Sequence, residues 1–162
     1  MPGPVTRIGI TGHRQIPDAA LSVVRSGIRA ELLAAVSPWA LSSLAAGADQ
    51  VFAEIALECG APLTAVIPGM DYETHLGDDD VRTSYRRILK CCAERVELPY
   101  ERTHEEAYDA AGRYIVDRAD RMIAVWDGAP SRGLGGTADI VAYARRAGVP
   151  VTVLWNPGVR RP

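Results

Sequence analysis

Cysteine is scarce in this chain: only Cys59, Cys91 and Cys92 occur, two of them adjacent. Such a set makes no disulfide framework, and no Cys or His pair stands at metal-ligand spacing. The three read as small core hydrophobes, and neither a metal nor a cofactor is expected. Long apolar runs are also missing. No segment reaches the ~20 residues that span a bilayer, so no membrane partner is expected. Met1 to Pro4 has neither the basic nor the apolar stretch of a secretory leader, which makes the cytoplasm the expected compartment. Nor is there an excess of one charge. Lys and Arg number 18 against 20 Asp and Glu, a net charge of −2. That balance argues against the broad basic surface of a nucleic-acid binder, so nucleic acid is not an expected partner, and Arg160-Arg161 reads as a solvated tail.

The content that is present is ordinary for a globular protein: 162 residues, 48% hydrophobic and 23% charged. This suits one domain, 1–162, with a sizeable core. Strand and helix signals alternate along it. Strands are expected at Val5–Ile10, Trp39–Leu44, Leu63–Ile67, Arg95–Leu98, Arg121–Trp126 and Val151–Trp155. Between them run helical patterns such as Leu21, Val24, Ile28 and Leu32, which share one face. Asp18 is the expected cap of that first helix, and Thr103 with Glu106 fits a capping box for a later one. Gly60 and Gly148 sit in look-alike segments, Gly60-Ala61-Pro62-Leu63-Thr64 and Gly148-Val149-Pro150-Val151-Thr152, each reading as a glycine-ended helix turning into a buried strand. The predicted class is α/β: a three-layer, doubly wound, mainly parallel sheet with helices on both faces.

In such a sheet ligands sit beyond the carboxyl ends of the strands. Three loops at that edge carry chemistry. Thr11-Gly12-His13-Arg14 offers a glycine for close backbone approach, and Arg14 for a bidentate phosphate contact beside His13. Ser43 to Asp49 is built of small residues; Gly47 is a ligand candidate, whereas Asp49 suits a cap or a ribose hydroxyl. Trp126 to Thr137 is the richest. Gly135, Gly136 and Thr137 open a helix whose N-terminal amides favour an anion. Trp126 and Asp127 offer a stacking face and an acceptor for base or sugar, and Arg132 closes over them. The irregular stretch Pro68–Asp80 has the length of a functional lid. Its run Asp78-Asp79-Asp80 reads as a helix start, and His75 and His104 show no acid partner in sequence.

The Thr11–Arg14 loop, the Ser43–Asp49 segment and the Gly135-Gly136-Thr137 helix start together resemble the SLOG superfamily. That group holds the DNA-processing A proteins, the lysine-decarboxylase-like phosphoribohydrolases and YspA-like nucleotide sensors. The resemblance, spanning roughly Val5 to Pro157, implies a Rossmann-like sheet, a nucleotide or nucleotide-derived ligand and a possible homodimer. The phosphoribohydrolases of the group place a glutamate three residues beyond the threonine, and nucleoside deoxyribosyltransferases resemble the same stretch with a catalytic glutamate there. Ile140 stands at that position here, and isoleucine neither attacks a sugar nor accepts a proton. Two functions lead: binding or sensing of a nucleotide, or N-glycosidic cleavage of a nucleoside monophosphate with Asp139 as a displaced acid. A third, a DNA-processing partner, is favoured by the Ser43–Asp49 likeness but not by net charge.

Overall fold

The computed structural model describes residues 3–162. Its strands are β1 (Thr6–Gly12), β2 (Pro38–Ser42), β3 (Leu63–Ile67), β4 (Glu94–Glu97), β5 (Arg121–Val125) and β6 (Val151–Leu154). They form one all-parallel sheet in the order β4-β3-β2-β1-β5-β6. β3 reads Leu-Thr-Ala-Val-Ile and is buried throughout, as a strand covered on both faces must be. β4, at one edge, keeps Glu94, Arg95 and Glu97 exposed; charge on an edge strand discourages further strand pairing.

The helices are α1 (Asp18–Ala34), α2 (Ala48–Glu58), α3 (Asp79–Cys91), α4 (Glu105–Arg118) and α5 (Thr137–Arg146), with a short 3-10 turn at Tyr72–His75. Chain order moves from β1 toward β4, then returns to β5 on the other side of β1. Right-handed crossovers in opposite directions put their helices on opposite faces. One core accordingly joins Val24 and Ile28 of α1 to Phe52 and Ile55 of α2 and Ile88 of α3. The other joins Ala111 and Ile115 of α4 to Ile140 and Ala144 of α5. The reversal falls between β1 and β5, and it opens a crevice at their carboxyl ends.

The look-alike segments share one stop signal. Gly60 and Gly148 both have φ +75°. Ala61 N–H donates to Ala56 O and Val149 N–H to Ala144 O, each at 2.9 Å, closing the preceding helix.

Two caps differ from expectation. α1 already includes Asp18, with Pro17 in the cap position, because the proline ring fixes a φ of −58° that leads into a helix. The Thr103 capping box does not form: α4 is capped by His104 without a side-chain bond. The Asp71 carboxylate takes the Thr103 N–H at 2.6 Å and ties that residue to the 3-10 turn instead. The same Asp71 accepts His75 Nε2 at 3.1 Å, an acid partner that sequence spacing did not reveal. Asp78 accepts the Val81 N–H at 2.9 Å, so the acidic run starts α3.

Candidate functional site

The crevice is a cleft of about 560 Å³. On one side the β1–α1 loop contributes Gly12, His13 and Arg14, and opposite it the β5–α5 loop contributes Arg132, Gly135, Gly136 and Thr137. α4 forms a wall with Glu105 and Tyr108, while Ser43, Asp49 and Tyr72 extend the floor toward β2 and β3.

His13 is the hub between the loops and is 4% exposed. Its Nε2 lies 3.1 Å from Asp127 Oδ1, and its Nδ1 lies 3.2 Å from Arg161 Nη1 and 3.5 Å from Thr137 Oγ1. The Asp127 backbone N–H also reaches Nε2 at 3.1 Å, so each ring nitrogen faces a donor, the Arg161 guanidinium at Nδ1 and this amide at Nε2. Burial holds the imidazole below its ordinary value against the pull of Asp127, which keeps it neutral. Asp127 is fixed further by the Ala129 N–H at 3.0 Å. Burial works to raise its carboxyl, but the Ala129 N–H, His13 and Arg161 together bring it below the usual range.

At the start of α5, geometry leaves the first N–H groups without intrahelical partners. The Asp139 N–H is taken by Ser131 Oγ at 3.1 Å, and the Gly135 N–H by Asp139 Oδ2 at 3.2 Å. The Thr137 and Ala138 N–H groups find no partner among the described residues. Gly135 packs its Cα against the Asp109 backbone of α4, where an added Cβ would come within 2.5 Å of Asp109 N. Any side chain there would push the loop off the helix.

The structure separates the sequence-predicted residues into two groups. Gly12, His13, Arg14, Arg132, Gly135, Gly136 and Thr137 all line the cleft. Gly47, Trp126 and Asp127 do not. The Trp126 indole turns back to donate to Ala129 O at 2.8 Å, with Arg145 over its ring at 5.9 Å, so it offers no stacking face to the cleft. Asp127 acts through His13. Gly47, at φ +75°, packs directly on the carbonyls of His13 and Arg14, and the Ala48 N–H donates to His13 O at 3.1 Å. Its role is to seat the β1–α1 loop.

Asp139 stands outside the lining, its Oδ2 accepting the Gly135 N–H, while Ile140 lines the cleft. Arg161 corrects the solvated-tail expectation. Trp155 packs edge-on against His13 at 5.3 Å, its indole donates to Val159 O at 2.7 Å, and the chain folds back to place Arg161 in the cleft. The Trp155-Asn156-Pro157-Gly158 turn was the available signal. Tyr72, Tyr108 and Glu105 were missed because they reach the cleft from elements distant in sequence.

Asp49 is the titrating group of the floor. Burial pushes its carboxyl up to about 7, against the Ala45 N–H and Arg14. Between the ordinary 3.8 and about 7 the folded chain binds a proton that the unfolded chain does not, so this group's contribution to stability falls as pH rises through that window. His13 runs the opposite way, losing stability as pH drops below 6.5. Asp49→Asn is therefore expected to raise Tm over the parent at pH 8, with the gain shrinking toward pH 4. Scanning calorimetry at both pH values checks it, and a gain independent of pH would show that Asp49 titrates normally.

No family model and no curated protein matches the sequence. Solved structures do match. DNA processing protein A from Streptococcus pneumoniae superposes with TM-score 0.66 at 21% identity, over 91% of this chain and 50% of that one. The Helicobacter pylori protein, described with a single-stranded DNA binding mode, gives TM-score 0.66 at 16% identity, over 91% and 64%. The molybdenum cofactor binding protein of Rippkaea orientalis gives 0.61 at 18%, over 93% and 76%. The chain shares the Rossmann-like α/β fold of these structures. It spans half to two thirds of the length of the DNA processing proteins it matches.

The comparison also corrects the exclusion of nucleic acid. The H. pylori protein shares this Rossmann-like fold and is described binding single-stranded DNA. Net charge was the wrong criterion, because an overall −2 coexists with Arg14, Arg132 and Arg161 gathered at one cleft. A local field of that kind is set by placement, not by the sum.

Proposed function

We propose that the cleft binds a nucleotide or nucleotide-derived ligand, with a phosphate at the N-terminus of α5 and the remainder lying across the end of β1. The observation that carries this reading is the convergence of unpartnered α5 amides with Arg132 and Arg161 around a neutral, fixed His13 at the reversal of strand order. Helix-end amides and guanidinium groups together suit a phosphoryl group. Binding without cleavage is preferred, because Ile140 lines the wall and Asp139 is engaged by the loop backbone.

The test is a calorimetric titration of the purified protein with nucleoside mono- and diphosphates, cyclic nucleotides, nicotinamide dinucleotides and a single-stranded oligonucleotide. Each mixture is also assayed for free base by chromatography. A nucleotide that binds one site per chain and is recovered intact supports the reading. Base release would restore the N-glycosidic alternative. Binding of the oligonucleotide alone would replace a small ligand by DNA.

A further inference from the structure

The cleft has a second polar end that the phosphate reading leaves unused. Asp49, in the first turn of α2, accepts the Ala45 N–H on Oδ2 at 3.2 Å, and its Oδ1 has no partner among the described residues. Tyr72 is 2% exposed and its hydroxyl has no hydrogen-bond partner among them either. A buried hydroxyl left unpaired is destabilising, so its retention at the floor of a cleft points to a bond made when the cleft is filled. Burial first, then the Asp49 charge beside it, push the Tyr72 phenol upward, so it stays a donor. Arg14 lies over the Tyr108 ring, 4.8 Å from its centroid, and presents a flat guanidinium to whatever occupies this end. Bases stack on such planes.

Distance selects what reaches here. β5, β1 and β2 are consecutive in the sheet, so the strands leading to the α5 end and to the Asp49 end lie two spacings, about 10 Å, apart. That matches the reach from a 5′-phosphate to the far edge of a base and exceeds the reach to the ribose hydroxyls.

Building on the nucleotide reading, we propose that Asp49 and Tyr72 read the hydrogen-bonding edge of the base. They favour a lactam edge, a ring N–H beside a carbonyl as in guanine, hypoxanthine and uracil, over the amino-imine edge of adenine and cytosine. The Asp49 carboxylate accepts the ring N–H and the Tyr72 O–H donates to the carbonyl. Adenine would instead turn a ring-nitrogen lone pair toward the carboxylate, a repulsion that the Tyr72 hydroxyl, accepting from the amino group, does not offset. Sites that hydrogen-bond a ligand in this way reject the analogue lacking the matching group by tenfold or more.

The test is titration calorimetry at pH 8.5, where Asp49 is ionised, with GMP, IMP, AMP and 2′-deoxy-GMP. GMP and IMP are expected to bind at least tenfold tighter than AMP, with little loss for the deoxy form. Asp49→Asn keeps the Ala45 bond through its amide oxygen but turns an N–H toward the cleft, so the preference should reverse in favour of AMP. Tyr72→Phe keeps the ring and should weaken GMP more than AMP, narrowing the preference. Equal binding of GMP and AMP, or dependence on the 2′-hydroxyl instead of the base, overturns this inference while the nucleotide reading stands. Binding of none of these ligands removes both.

Discussion

Gly47→Ala is expected to destabilise the protein by about 2–6 kcal/mol, a large share of the ~5–15 kcal/mol that holds a domain together. Two terms add. Gly47 has φ +75° and ψ −123°, a region essentially reserved for glycine, and forcing another residue there costs about 1–3 kcal/mol. The new Cβ would also collide with the carbonyl of Arg14 and approach His13 O within 2.6 Å. Backbone cannot rotate away as a side-chain end can, so overpacking adds about 1–3 kcal/mol. Gly60→Ala separates the terms: Gly60 shares φ +75° but nothing lies within 4 Å of its Cβ position, so only the backbone strain remains. Urea unfolding of both variants checks the ordering. Equal losses would mean that Gly47 does not seat the His13–Arg14 loop.

The second large effect concerns affinity. Arg161→Ala is expected to weaken nucleotide binding 10- to 100-fold, about 1.4–2.8 kcal/mol, the range of a lost charge-assisted contact to phosphate. Arg161 acts twice. It supplies a cation 14% exposed at the cleft, and its Nη1 donates to His13 Nδ1 at 3.2 Å. Arg161→Lys keeps the charge but loses the fork that spans His13, Asp127 and Pro130 O, so it should recover only part of the affinity. Arg160→Ala, one residue earlier, should be neutral. Calorimetric Kd values for the three variants decide the matter; an unchanged Kd for Arg161→Ala would return this residue to a bystander.

The layers of the fold were legible because they rest on local grammar. The unbroken apolar run Leu63–Ile67 announces a doubly covered strand, and the paired Gly60 and Gly148 segments announce helix stops, each decided within a few residues. The strand–glycine–helix pattern likewise brought Gly12 and Gly135-Gly136-Thr137 to one edge of the sheet. What failed was tertiary. Trp126 ends its strand with an indole that neighbouring sequence leaves free to stack, but the Ala129 carbonyl captures it. Thr103 has a sound capping sequence, yet an Asp71 carboxylate 32 residues away takes its amide. Arg161 lies beyond every periodic element, and the Trp155–His13 contact with the Trp155–Val159 bond carries it into the cleft. Tyr72 shows its importance through a missing bond, which no sequence pattern encodes.

The most direct measurement is a crystal structure of the protein grown with a saturating nucleoside monophosphate. The account predicts the phosphate within hydrogen-bond distance of the Thr137 and Ala138 amides, flanked by Arg161, with the base reaching toward Asp49. A nucleotide seated on another face, or phosphate density at the Asp49 end with the α5 N-terminus empty, would contradict it.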